Sequence, residues 1–334
     1  MNLWKAELQR LLSRRFVRVL TILLVAVFGI TIFVTMASSR QPTPDDWYYA
    51  TTQAQSENQV RQQLYRECLA AHEPGATAVE RARFPGRCDY TEVQPEDFLY
   101  DTYVFHKSIK PLIAFLAAYL ALFGFLIGAT YIGAELSSGG MTNLLLWRPK
   151  RMEVLGAKLG VLLGSVALFS VLFSLVYVAT FYGIAQATGY VGTVDSALVS
   201  DLGLMLVRGL GLVLIVTACA FGVATLGRHT AASLGLATAY VVVWEGGARL
   251  MMELLNAGRP EPWFLSTYIG AWMVGRLELY ERYAPCVAPE TGIDSFDCSS
   301  TYFITWWHAA IVFLVVLAVF VGGSFGVFRR RDLA

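Results

Sequence analysis

Charged side chains are scarce in this sequence. Asp, Glu, Lys and Arg make up 15% of its 334 residues, against about 25% in ordinary soluble domains. With 56% hydrophobic residues, that deficit excludes a disordered chain. A net charge of +1, from 26 Lys and Arg against 25 Asp and Glu, argues against a nucleic-acid-binding protein. No G-x-x-x-x-G-K-[ST] stretch occurs, so the chain carries no phosphate-cradling ATPase loop of its own. H-E-x-x-H and C-x-x-C are also missing. The four histidines, His72, His106, His229 and His308, are too scattered to supply paired haem ligands at one depth.

Long apolar runs are abundant, and mean hydropathy is +0.52. Six runs of 21 to 28 residues cover 17–38, 111–133, 159–185, 202–226, 230–250 and 301–328. Each reaches the roughly 20 residues needed to cross about 30 Å of hydrocarbon. Backbone groups in lipid must be satisfied within the segment, so these runs predict six helices and an all-α membrane protein. The first run is longer than the roughly 7–15 apolar residues of a secretory signal. It reads as an anchor, although Thr35-Met36-Ala37 is a tolerable cleavage site.

Basic residues in the short flanks set direction. Lys5, Arg10, Arg14, Arg15, Arg18, Arg148, Lys150, Arg151, Lys158, Arg228 and residues 329–331 fall on one side, and only Arg259, Arg276 and Arg282 lie in short loops on the other. Both termini, with the tail 329–334, are therefore expected in the cytosol, and the chain in the plasma or inner membrane. Cys68, Cys88, Cys286 and Cys298 then all face outward. Adjacency favours the disulfides Cys68–Cys88 and Cys286–Cys298 over the two other connectivities, with four free thiols as the alternative.

Between the spans, residues 1–16 place Trp4, Leu8, Leu11 and Leu12 at helical spacing opposite Lys5, Gln9, Arg10 and Arg14. That pattern suits an inner interfacial helix; a frayed basic flank is the alternative. The polar insert 39–110 reads as a small outer cap, with a short helix over 57–71 and turns at Pro74-Gly75 and Pro85-Gly86. In the outer segment 251–300, Trp263, Phe264, Tyr268, Ile269, Trp272 and Met273 form an aromatic stripe too short to span. A re-entrant or interfacial hairpin fits it, with a helix packed on the cap as the alternative.

Charges inside the spans are expensive unless paired. Arg208 and Glu245 come out about 9 Å and 8 Å below the outer surface at 1.5 Å per residue, and His308 lies at similar depth. The expectation is an Arg208–Glu245 contact with His308 nearby and Arg249 reaching outward. It would serve as an exit gate or as a structural ion pair.

The loop 134–158 is the most informative segment. Glu135 stands at the membrane edge, Ser138, Gly139 and Gly140 make a turn, and Met141, Leu144 and Leu145 begin a short apolar helix. Pro149 ends it, and Arg151, Gly156 and Lys158 follow. A short apolar helix among charges is shaped to dock in another protein's groove. In Glu135, Gly140-Met141, Leu144-Leu145, Pro149, Arg151 and Gly156-x-Lys158, and in the overall layout, the chain resembles the permease subunits of type-2 ABC exporters. Gly140-Met141-Thr142 stands where that family commonly has Gly-Thr-Leu.

The resemblance implies a transmembrane subunit that is not itself an enzyme. It would pair with a second copy or a sister permease and be driven by two separate ATPase subunits, which would hold the ATP and Mg. Glu135 and Lys158 would hold the coupling helix against the span ends. Substrate would pass along spans two and five. Span two offers mainly Tyr119, Thr130 and Tyr131 as polar groups, which favours a hydrophobic or amphiphilic cargo. The alternative is a membrane enzyme or a structural or sensory protein built on Arg208, Glu245 and His308.

Overall fold

The computed structural model describes residues 3–84, 88, 90–141, 146, 150–281 and 301–330. Helix α1 (Leu3–Ser13) turns through Arg14, whose backbone is extended, into α2 (Arg15–Ala37). The insert follows. Its helix α3 runs over Pro44–Ala71, well beyond the expected 57–71. The reason is local: the Thr43 hydroxyl accepts from the Asp46 N–H, the Asp46 carboxylate accepts from the Thr43 N–H, and Pro44 occupies the first helical position. Such a box starts a helix wherever it stands. Helix α4 (Ala78–Arg83) has a similar box from Thr77 and Glu80. The Cys68–Cys88 disulfide is formed; Cys286 and Cys298 lie outside the described residues. Edge-on packing of Trp47 against Tyr190 seats the cap on the bundle.

The bundle is built on α5 (Phe105–Ser137), α6 (Arg151–Thr188) and α7 (Ser196–Gly227). All three overrun the apolar segments that predicted them, so Lys158 belongs to a helix rather than to the preceding loop. Helix α5 is the centre, and its apolar stretch is more buried than those of its neighbours. It meets α7 through Gly124 and Gly128. A methyl group on Gly128 would stand 2.6 Å from the Thr217 carbonyl oxygen, so the absent side chains permit the close backbone approach common among membrane helices. On its other side α5 touches α2, where the Tyr119 hydroxyl donates to the Leu24 carbonyl at 2.5 Å.

Among the described residues five helices are long and apolar enough to cross a membrane: α2, α5, α6, α7 and the run Trp306–Arg330. The expected span 230–250 is helical but made of three abutting pieces, α8 (Thr230–Ala239), a π-helical stretch (Tyr240–Ala248) and α9 (Arg249–Leu254). Helix α10 (Leu265–Val274) holds Tyr268, Ile269, Trp272 and Met273 of the aromatic stripe, with Trp263 and Phe264 just before it, and ends at Gly275, whose φ of +96° suits a residue without a side chain. Residues 301–305 differ from expectation. They form a strand, β2 (Thr301–Thr305), antiparallel to β1 (Arg276–Tyr280), with Leu277 opposite Ile304. Alternating Thr, Tyr, Phe and Ile favour a strand once a partner is at hand. The last helix therefore begins at Trp306, as α11 (Trp306–Leu317), a π stretch (Ala318–Gly322) and α12 (Gly323–Arg330).

Candidate functional site

The first ten residues carry one acid among apolar and basic neighbours. Glu7 shares a helical face with Trp4 and Leu11, and that face packs on α6. Trp4 occupies the space left by Gly160, where an added methyl would meet its ring at 2.6 Å. Leu11 is buried. Glu7 is drawn inside with them and is only 1% exposed. Its Oε2 accepts from Lys158 Nζ at 2.6 Å and from the Tyr131 hydroxyl at 2.7 Å, while Arg10 reaches Oε1 at 3.2 Å.

Lys158, fully buried, is shared. Its Nζ also lies 2.7 Å from Glu135 Oε2. The other oxygen of Glu135 takes Arg14 Nη2 at 2.5 Å, and Arg14 Nη1 donates to the Thr130 carbonyl at 3.2 Å. Arg14 and Lys158 both approach the face of the Tyr131 ring, at 4.8 and 5.4 Å from its centre. Two carboxylates thus face two cations with their hydrogen bonds made, the condition under which buried charges are tolerated. Burial opposes the ionised Glu7 carboxyl, but the bond and charge of Lys158, with Tyr131 and Arg10, prevail and hold it below the ordinary carboxylate range. The network joins α1, α5 and α6 at the point where the chain leaves α5 and re-enters through α6.

The remaining loop residues are only partly described. Gly139 takes φ +71°, Gly140 and Met141 follow, and Met141 is buried. Leu144, Leu145 and Pro149 lie outside the described residues. Arg151 opens α6, and Leu146 is exposed.

The charges expected together near the other end are apart. Glu245 is not bonded to Arg208. Its Oε1 accepts from the Tyr240 hydroxyl and from the Ser266 N–H, both at 2.9 Å, and its Oε2 from the Ser266 hydroxyl at 2.8 Å. Its nearest cation is Arg249, one helical turn on, at 3.7 Å. Arg249 also donates to the Ser266 hydroxyl and covers the Phe264 ring. Arg208 instead lies against Gly275, at the C-terminal end of α10, where a cation suits the helix dipole. His308 is in a third place: its Nδ1 accepts from the Thr305 N–H at 3.2 Å, and its ring stacks on Trp307. Helix α10 rises between Glu245 and Arg208 and takes up both, a role that counting depths along the spans could not reveal. Near the cap, Cys68, His72 and Cys88 cluster, but the two sulfurs are bonded to each other and offer no thiolate to a metal.

A family model described as "ABC-2 family transporter protein" matches residues 1–333. The chain belongs to the ABC-2 transporter family. It is a multi-pass membrane component of a transporter. No curated protein matches the chain. The Glu7–Lys158–Glu135–Arg14 network brackets the segment joining α5 to α6. The sequence alone singled out Glu135 and Lys158, set Arg14 on the headgroup face and Tyr131 among the polar groups of span two, and passed over Glu7. A signal was there: Glu7 is the only acid before Asp45, and it stands on the apolar face of its helix.

Proposed function

We propose that this chain is the permease subunit of an ABC exporter, driven by separate ATPase subunits that bind ATP and Mg. The observation that supports the reading is the buried ion network. Such networks resist deformation, because separating the partners strands charges in a dry site. A push on the 138–150 loop is therefore delivered to α1, α5 and α6 as one body. In this reading Gly139, Gly140, Met141, Leu144, Leu145, Pro149 and Arg151 belong to a coupling helix and its turns, and Glu135 and Lys158 anchor it.

The reading includes six spans, the fifth being 230–254 with its π-helical stretch, and both termini in the cytosol. Two such chains, or this chain and a sister, enclose the pathway in the cell membrane. The cargo is hydrophobic or amphiphilic, in keeping with the few polar side chains of α5. ATP-bound and ATP-free partners shift the permease only by their differential affinity for its conformations.

The test is purification of the tagged chain in mild detergent, with ATPase activity measured on the eluate. The wild type is expected to carry an ATPase, and a Leu144→Asp, Leu145→Asp double variant to lose it at unchanged abundance. An eluate without ATPase in both would overturn the proposal.

A further inference from the structure

A ten-residue helix rises about 15 Å, half of the roughly 30 Å of hydrocarbon in a bilayer. Helix α10 is such a helix, and it accompanies α7 over only part of that helix's length. The Trp272 indole donates to the Arg208 carbonyl at 2.7 Å, and Met273 packs with Leu212. From Leu212 to Val223 a cavity takes over. It is partly open, about 600 Å³ in volume, and lies below the N-terminal end of α10, where Trp263, Leu265 and Tyr268 line it. Its other walls are α7, helix 233–244 and the last helix from Val312 to Phe320, with Phe125 of α5. Both the 212–223 and the 233–244 walls extend about 16 Å, the depth of one leaflet.

The chemistry of the walls is one-sided. Of the polar side chains on them, Ser233 donates to the Ala220 carbonyl, Tyr240 to Glu245, Trp244 to the Trp263 carbonyl and Tyr268 to the Pro262 carbonyl. Each is spent within the protein, and the Cys219 thiol behaves as a small hydrophobe. Apart from the Trp263 indole, which sits at the exposed rim, the walls offer an occupant surface and no hydrogen bond that is not already made. Water is a poor fit to such walls, since buried water needs two to four polar partners. The volume is that of a ligand site.

We propose that this cavity binds a hydrocarbon tail of a bilayer phospholipid, entering from the leaflet on the side of the 228–229 turn. The tail fills the half-thickness that α10 leaves vacant and packs between α7, helix 230–254 and the last helix. The site lies within one chain and stands whether or not an ATPase partner is found.

The test uses the full chain in nanodiscs of phosphatidylethanolamine containing a trace of the same lipid with a photoactivatable diazirine at the tail end. Adducts are mapped by mass spectrometry after irradiation. Adducts are expected on Cys219, Val223 and Leu236 in the cavity, and on the outward residues Ile22 of α2 and Leu168 of α6, both well exposed. In Ala237→Trp, and separately in Val316→Trp, the cavity adducts should be lost while those on Ile22 and Leu168 remain. Labelling of Ile22 and Leu168 with an unlabelled cavity in the wild type would overturn the proposal, and is the result expected if a second copy of the chain fills the space. Cavity adducts that persist in both Trp variants would overturn it too. Because the wild-type map decides alone, a variant that fails to fold does not shield the proposal.

Discussion

Glu7 and Glu245 are both carboxylates withdrawn from solvent in a largely apolar chain, yet the structure satisfies them in opposite ways. Glu7 meets charge from afar, from Lys158, 151 positions along the chain. Glu245 is met by the Ser266 amide and hydroxyl and the Tyr240 hydroxyl, with one cation a turn away at 3.7 Å. The first arrangement cannot lose a member without stranding a buried charge. The second can lose its charge and keep most of its hydrogen bonds. The carboxylate near the α5–α6 loop is therefore a rigid fastening, and the one at α10 is a latch between the π-helical stretch and that short helix. Helices that interrupt their regular bonding often do so where they must move.

The largest effect that could break this contrast is Lys158→Met. It leaves Glu7 and Glu135 buried without their shared cation and should cost about 3–5 kcal/mol, read as a large fall in thermal midpoint and in membrane abundance. A variant as stable as the wild type would show the network to be slack. The next is Glu7→Gln, whose cost should depend on pH. The folded-state pKa of Glu7 lies below its unfolded value near 4.5, so its contribution is present above that pH and lost as pH falls through the lower, folded-state value. The stability gap between wild type and Glu7→Gln should accordingly be full at neutral pH and close in acid. A gap independent of pH would assign the effect to packing alone. The smallest is Glu245→Gln. Its side-chain oxygen still accepts from Ser266, so the loss should be about 1 kcal/mol, the value of one hydrogen bond, with abundance near wild type in an immunoblot of membranes. A loss equal to that of Lys158→Met would erase the distinction.

How much of this was legible differs from place to place. The apolar runs announced α2, α5, α6, α7 and the last helix, because hydrophobic length is a local property. The aromatic stripe bounded by Pro262 and Gly275 announced α10. The start of the last helix was misplaced by five residues, since 301–305 become a strand only when Arg276–Tyr280 lies beside them. In the candidate site, Glu135 and Lys158 stood out by their place at the helix ends. Glu7 and Arg14 did not, because their worth lies in a fold that lays α1 across α6 and brings Arg14 to α5. The Arg208–Glu245 pairing failed for a matching reason: equal depth does not make two side chains neighbours when a third helix stands between.

By itself the sequence determined that this chain lies in a membrane as a set of helices, and it carried the features of the ABC-2 transporter family from end to end. Both follow from composition and order along the chain, which need no partner to be read. Tertiary structure alone decided which charges meet, where the cap sits and where a cavity opens below α10. Those depend on how each helix is rotated and which neighbour it touches. The hydrophobic term that drives helices into lipid is nearly blind to rotation, and the close packing and hydrogen bonds that settle rotation exist only once the helices are together.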